Sequence, residues 1–215
     1  MRKNKVGIIT LYHFIGVIFG NKYQNYACEE IFEKLGCLSE TLIREKPFPA
    51  VQLIKYRAYR LLNYLFGYRL SANQSIWKRY ILFRKFEKKY LHIRYVPSKN
   101  LGDTAYDFYS IGSDQVWNPN WTFTPEDIRW YFCTDVPAEK YICLSPSFGV
   151  DNMQDENRET YARCLNRFEH LSTREETGRE IIRDLTGKDA PVLIDPTLAL
   201  SKTEWDLIQK KPCFV

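Results

Sequence analysis

The chain is poor in the residues from which metal centres and nucleophile sites are usually built. Its three histidines (His13, His92, His170) are scattered. Its six cysteines (Cys28, Cys37, Cys133, Cys143, Cys164, Cys213) contain no C-x-x-C pair and no short-spaced histidine partner, spacing that argues against a zinc site. Several cysteines, Cys143 among them, lie in apolar runs where a thiol acts as a small hydrophobe, the pattern of reduced, cytosolic thiols. There is no G-x-G-x-x-G, so no dinucleotide site follows, and no G-x-S-x-G around which to propose a Ser-His-Asp arrangement. A long apolar span is also missing. The run Val6 to Gly20, after Met1-Arg-Lys-Asn-Lys5, imitates a secretory leader, but His13 interrupts it and no A-x-A cleavage site follows. Gln24-Asn-Tyr-Ala27 before Cys28 is a poor lipoprotein site, and this run is shorter than the about 20 residues that cross a bilayer. A first strand over Val6 to Tyr12, followed by a glycine-containing loop, accounts for the same residues.

Acids are nearly missing from one segment. Between Val51 and Tyr95 eleven basic residues face a single acid, Glu87, a net +10 within a chain of +5, so the remainder carries −5. The basicity therefore belongs to an insertion. What is present otherwise is ordinary for a globular protein: 215 residues, 45% hydrophobic and 27% charged, with a high 15% of aromatics, enough for a sizeable core.

Val6-Gly-Ile-Ile-Thr-Leu-Tyr12 has the continuous apolar character of a strand buried on both faces. Asn21 to Leu35 reads as a helix with Tyr23, Ala27, Ile31 and Leu35 spaced by four, stopped by Gly36, and Thr41 to Arg44 as a second strand. This β-loop-α-β order opens a Rossmann-like parallel sheet. Val51 to Tyr95 reads as a basic, aromatic, helical insertion. The sheet resumes at Asp107 to Gly112 and at Lys140 to Gly149. A helix over Glu156 to Phe168 leads to a short strand, Phe168 to Glu175, and a helix follows over Glu176 to Leu185. Pro191 to Pro196 is another short strand, and Ser201-Lys-Thr-Glu204 is a capping box opening a last helix. Pro212 to Val215 reads as the start of a further strand, which is the pattern of a fragment or a truncated reading frame.

In a parallel sheet ligands bind outside the carboxyl ends of the strands, and three polar turns fall there: Gly112-Ser-Asp114, Ser147-Phe-Gly149 and Ser172-Thr-Arg-Glu175. Gly112 permits a sharp exit, and Ser113 and Asp114 either cap that turn or touch a ligand. Ser172 with Glu175 fits a capping box. Arg174 fits it badly, since a cation in a first helical turn opposes the macrodipole and its fork suits a carboxylate or phosphate. Asp195 before Pro196 reads as a turn former, and His170 as structural. Gly20-Asn-Lys-Tyr-Gln24 opens a helix where Asn21 and Gln24 could meet a sugar or phosphate.

Taken together, Gly-Asn-Lys-x-Gln-x-Tyr-Ala (Gly20 to Ala27), Ile-Gly-Ser-Asp-Gln-Val-Trp-Asn-Pro (Ile111 to Pro119), Ser-x-Ser-Phe-Gly (Ser145 to Gly149), Ser-x-Arg-Glu-Glu-x-Gly (Ser172 to Gly178) and Asp-Pro-Thr-Leu (Asp195 to Leu198) resemble the polysaccharide pyruvyl transferase family. The string around Trp117 and Asn118 and the Ser-x-Arg-Glu-Glu piece are the specific ones. The resemblance implies the N-terminal half of a glycosyltransferase-B-like fold, residues 1–215 forming one Rossmann-like domain with the insertion at about 51–95, and a second domain missing together with the arginines and histidines the family carries there. Activity of the fragment is then expected to be feeble or lost. The first loop, Val17-Ile-Phe-Gly20, departs from the family's asparagine-aromatic-glycine turn.

The resemblance further implies transfer of pyruvate from phosphoenolpyruvate to a sugar as a ketal, in cell-surface or exopolysaccharide synthesis, with a lipid-linked oligosaccharide as a typical acceptor. Arg174 would match an arginine that grips the phosphoenolpyruvate anion. Asp114 is the catalytic candidate for a proton role. Gly112, Ser113, Asn118, Ser147, Asn21 and Gln24 join Arg174 as substrate-binding candidates. No metal and no cofactor beyond the donor substrate is expected, nor a nucleic-acid partner. The insertion reads as a solvated hairpin packing aromatics on the sheet, as an interfacial helix pair at the inner face of the membrane, or as a nucleic-acid surface, in a protein otherwise expected in the cytoplasm. A nucleotide-sugar glycosyltransferase of the same fold, or a non-catalytic glycan- or lipid-binding module, are the alternative functions.

Overall fold

Five short apolar runs line up side by side and all point the same way. In the computed structural model, which describes residues 2–12, 20–44, 83, 85–96, 100–121 and 124–209, they are β1 (Lys5–Ile9), β2 (Leu38–Arg44), β3 (Ile93–Val96), β4 (Phe108–Ile111) and β5 (Tyr141–Cys143). They form one all-parallel sheet in the order β3-β2-β1-β4-β5. Parallel strands need crossovers, and the one between β1 and β2 carries α1 (Gly20–Lys34). Gly36, with φ +79°, ends that turn of chain, and the amides of Gly36 and Cys37 bond back to the carbonyls of Glu33 and Phe32, so the glycine stop read from the sequence holds.

β1 is covered on both sides, as its unbroken apolar run requires. Val6 and Ile8 pack with Cys28 and Phe32 of α1. Ile9 belongs to the larger cluster on the other face, where Trp117 is fully buried, stacked on Phe132 at 5.4 Å and edge-on to Phe168. Further along the described chain come α2 (Pro125–Tyr131), α3 (Asp155–Leu165), α4 (Glu176–Thr186), α5 (Pro196–Ala199) and α6 (Lys202–Ile208). The capping box at Ser201 and Glu204 forms as expected, and α2 has a second one, Thr124 with Asp127.

Several boundaries shift. β1 ends at Ile9 rather than Tyr12, and β2 begins at Leu38. The strand expected over Lys140 to Gly149 covers only Tyr141–Cys143, because Ser145 takes φ +48° and Pro146 has no N–H for a ladder. What remains is a single bridge from Asp114 to Pro146. The strands expected at 168–175 and 191–196 reduce to one bridge, Thr173 to Val192. β3 lies inside the segment read as insertion, so the sheet, not a helix, occupies its last residues. Residues 85–90 before it are helical. Residues 51–82, and with them most of the three readings of the insertion, lie outside the described residues.

α1 also carries a buried carboxylate. Glu29, 2% exposed, accepts from the Thr41 hydroxyl at 2.6 Å and from the His92 amide and ring Nδ1, each at 3.0 Å, tying α1 to β2 and to the residue leading into β3. Burial pushes this carboxyl above its ordinary value of 4.5, although those hydrogen bonds oppose the shift. A raised folded-state value means that the group's contribution to stability is present below its unfolded value and is lost as pH rises through the folded one. Glu29→Gln is therefore expected to flatten the decline in stability as pH rises above 4.5, read from urea midpoints; an unchanged pH slope would remove Glu29 as its source.

Candidate active site

The strand order reverses between β1 and β4, since β2 and β3 extend one way and β5 the other. A crevice opens outside the carboxyl ends of strands at such a switch point. The first turn of α1 lies there, and β4 delivers Gly112-Ser-Asp114. Gly112 sits at φ +104°, and a Cβ on it would lie 2.5 Å from the Leu144 carbonyl and 2.8 Å from the Pro146 nitrogen. Only glycine lets the chain leave β4 under the neighbouring backbone. The Asp114 carbonyl then accepts from the Ser147 amide at 2.9 Å. Its carboxylate accepts from the Gln115 amide at 2.9 Å and, by a short contact, from the Asn21 side-chain amide.

Asp195 collects the other candidates. As the N-cap of α5 it accepts on Oδ1 from the Thr197 amide at 2.9 Å and hydroxyl at 2.7 Å. On Oδ2 it accepts from Gln24 Nε2 at 2.6 Å, Arg174 Nη1 at 2.9 Å and the Ser113 hydroxyl at 3.3 Å. Burial works to raise this carboxyl, but the donors from Thr197, Gln24 and Arg174 outweigh it and hold Asp195 below the usual carboxylate range. The turn-forming role read from the sequence is real, and it is only half of what the residue does.

The Ser172–Glu175 capping box does not form. α4 begins three residues later than that box would place it, with Glu175 as its N-cap and without a side-chain bond. The Ser172 hydroxyl instead donates to the Cys143 carbonyl and accepts from the Ser145 amide. Glu175 reaches across to the second turn, accepting from the Ser147 hydroxyl at 2.9 Å and the Phe148 amide at 2.8 Å. Arg174 consequently stands before the helix rather than in its first turn. Its amide is bonded to Pro146, and its guanidinium lies between Asp195 and, at 3.8 Å, Glu175.

The three polar turns thus form one wired edge, and Asn21, Gln24, Ser113, Asp114 and Arg174 meet there through two carboxylates. Ser147 and Asn118 lie in the wiring beneath. Ser147 is 1% exposed and engaged with Glu175, and Asn118 is 5% exposed, bonding Gln115 and the Asn120 amide. His170 is exposed and outside this edge. Cys28 is buried under the turn, 4.0 Å from the Gly112 carbonyl, its thiol pushed up to about 12 chiefly by burial. Such a thiol is inert as a nucleophile at neutral pH. Among the described residues no three His, Cys, Asp or Glu side chains gather as a metal would need, and no helix is long and apolar enough to cross a membrane.

A cavity of about 1070 Å³ opens over this edge. Asn21, Gln24, Asp114, Asp195 and Thr197 make its polar floor, and Tyr23, Phe86 and Trp205 its aromatic wall. Sequence reading missed Asp195 as the common acceptor and missed the wall altogether. The first had a signal, an acid closing an apolar run at the same strand-end position as Asp114. The second had none, because its rings come from α1, residue 86 and α6. The family model described as polysaccharide pyruvyl transferase matches residues 19–214. No curated protein and no solved structure matches the chain.

Proposed function

The chain belongs to the polysaccharide pyruvyl transferase family, and from that premise we propose that it takes part in transferring pyruvate from phosphoenolpyruvate to a sugar of a cell-surface polysaccharide precursor. The product is a ketal. Two sugar hydroxyls become bonded to the former enol carbon, the methylene carbon takes up one proton, and phosphate leaves with the other. The observation that carries this reading is the meeting of Arg174, Asp114 and Asp195 at the switch-point crevice. A cation with a planar fork is there for an anionic donor, and carboxylates are there to take protons from hydroxyls. Asp114, reachable from the cavity, is the residue we assign a proton role, with Asn21 orienting its carboxylate.

Charge decides how the work is divided. Phosphoenolpyruvate is a trianion near neutral pH, and the cavity contains three acids, Asp114, Asp195 and Asp206, of which only Asp206 is paired with a lysine on the same wall (Lys202, 2.6 Å). Two like charges about 4 Å apart repel by about 4 kcal/mol near a protein surface. Arg174 can meet one anionic group of the donor. The cations for the rest come, in this proposal, from a second α/β half, which would make the present chain one Rossmann-like half of a glycosyltransferase-B-like fold. The order β3-β2-β1-β4-β5 supports that reading.

The test is direct. The chain, complemented with the second α/β half that this proposal calls for, is incubated with phosphoenolpyruvate and sugar acceptors, free or lipid-linked, following phosphate release and ketal mass, with nucleotide sugars run in parallel. Acceptor-dependent phosphate release with ketal formation is the expected result. Transfer from nucleotide sugars alone, or sugar binding with no transfer from either donor, would overturn it in favour of a glycosyltransferase or of a binding module.

A further inference from the structure

A second concave site lies in the groove between α2 and α3, whose buried side chains pack on the sheet face away from α1. Its volume is about 530 Å³, and it shares no lining residue with the cavity over the crevice. Its charge is also of the other sign. Arg129, Arg163 and Arg167 line it, and among the described residues no aspartate or glutamate does. Thr160, Arg163 and Arg167 follow one another at i, i+3 and i+7 along one side of α3 and just beyond its end. Arg129 faces them from the last turn of α2.

A cation in a last helical turn complements the macrodipole, but each helix end supplies at most about half a negative charge against three full positive ones. Arg129 has a carboxylate partner, Glu126 at 3.3 Å, and both side chains are exposed. Arg163 has no carboxylate partner among the described residues. Arg167 donates to the Thr134 and Val136 carbonyls at 2.6 and 3.2 Å, which uses part of its fork and leaves its charge uncompensated. The groove is therefore left positive. Tyr161 gives a second, independent sign of a ligand. It lines the same groove, is 1% exposed, and stands edge-on to Phe132 at 5.2 Å, yet its hydroxyl has no hydrogen-bond partner. Burial pushes this phenol above its ordinary value of 10.0, so it stays protonated and able to donate. A buried donor without an acceptor is costly, and beside three guanidiniums the acceptor that charge favours is an oxyanion.

We propose that the groove between α2 and α3 is a second binding site, for an organic phosphate, with its phosphate on Arg163, Arg167 and Arg129 and its uncharged portion on Pro125 and Ile128. The guanidinium fork suits phosphate oxygens. The α2 side of the groove supplies the apolar surface, Pro125 and Ile128, which a bare inorganic anion would leave unused. An uncharged ligand would leave the arginines unanswered. The volume is that of a small-ligand site. A nucleotide in solution and a phospholipid headgroup share this chemistry, a phosphate ester beside an apolar group. The site is independent of the transferase reading, since none of its residues enters that chemistry.

The test measures binding to the full chain with neither phosphoenolpyruvate nor sugar present. ADP and UDP are titrated by calorimetry at low salt, and vesicles of phosphatidylglycerol or of phosphatidylcholine are sedimented with the protein. The variants are the double replacement Arg129→Ala with Arg163→Ala, then Tyr161→Phe, and Arg174→Ala in the crevice, each checked for fold by circular dichroism. Arg167 is left in place because it also holds the 134–136 turn. A nucleotide or the phosphatidylglycerol vesicle is expected to bind the parent, roughly tenfold or more weakly to the double variant and about threefold more weakly to Tyr161→Phe. Arg174→Ala should bind as the parent does. Binding of nucleotides assigns the ligand to solution, and binding of phosphatidylglycerol vesicles alone assigns it to a headgroup. Tyr161→Phe separates ligand contact from packing, since a hydroxyl that only packs leaves affinity unchanged. No binding of any probe overturns the proposal, and so does binding that is lost in Arg174→Ala but kept in the double variant. The transferase reading stands in either case.

Discussion

Replacing Arg174 by alanine is expected to lower kcat/KM for phosphoenolpyruvate by roughly 10²- to 10³-fold, the loss typical of one preorganised charge-stabilising donor, while costing the fold only about 1–2 kcal/mol. The two effects separate because Arg174 is a minority partner of Asp195. Without the guanidinium, Asp195 keeps Thr197 on one oxygen and Gln24 and Ser113 on the other, so no buried charge is left bare. The donor keeps no such substitute among the described residues of the crevice. Arg174→Lys should recover only part of the loss, since an ammonium supplies charge without the fork. Initial rates of phosphate release, with phosphoenolpyruvate affinity from calorimetry as a readout independent of turnover, check the prediction. An alanine variant within threefold of the parent in both would remove Arg174 from donor binding.

The same pair gives a signed pH effect. Asp195 is held below its ordinary value, so its contribution to stability is present above the unfolded value of 3.8 and is lost as pH falls through the folded one. In Arg174→Ala one of the lowering donors is gone, and the acid-side loss of stability attributable to Asp195 should be smaller than in the parent.

The part of the site that could be read from the sequence is the part fixed by the strand pattern. An apolar run buried on both faces allows only one kind of end, a breaker followed by polar residues, and Gly112-Ser-Asp114 is such an end. Arg174 stood out because local structure gave no reason for it. The residues misread are those whose partners are far along the chain. Ser172 and Glu175 have the spacing of a capping box, but the pull of the Cys143 carbonyl on one and of the Ser147 turn on the other is stronger than a cap between them. Trp117 sits in a string that looks like a ligand loop, yet its ring is core because Phe132, Phe148 and Phe168 converge on it from three directions. β3 was hidden by its charge. It lies at the sheet margin with Arg94 and Tyr95 exposed, and an edge strand can carry exposed, charged residues that a helix-rich basic segment would also carry. The aromatic wall is the extreme case, since nothing local relates Tyr23 to Trp205.

Alanine at position 112 is expected to be the most damaging single methyl group that can be added at this edge. Two separate penalties apply. A non-glycine residue held at a sparsely populated positive φ costs about 1–3 kcal/mol, and Gly112 is at φ +104°. The new Cβ also meets backbone, the Leu144 carbonyl at 2.5 Å and the Pro146 nitrogen at 2.8 Å, and forcing such an overlap costs about 1–3 kcal/mol more. A total on the order of 4 kcal/mol is a large share of the about 5–15 kcal/mol that holds a domain together. The backbone cannot yield cheaply here, because Gly112 N bonds Ile9 and the Leu144 amide bonds Ile111, fixing both sides of the contact to the sheet. Any relief must move Ser113 and Asp114, and with them the bonds to Asp195 and Asn21. Gly20→Ala is the control. A Cβ there has nothing within 4 Å among the described residues and no positive φ to contend with, so its stability should stay within about 0.5 kcal/mol of the parent. Urea unfolding of the two variants makes the comparison, and a Gly112→Ala protein within about 1 kcal/mol of the parent would show that the 144–146 backbone can retreat and that the sheet does not fix the turn.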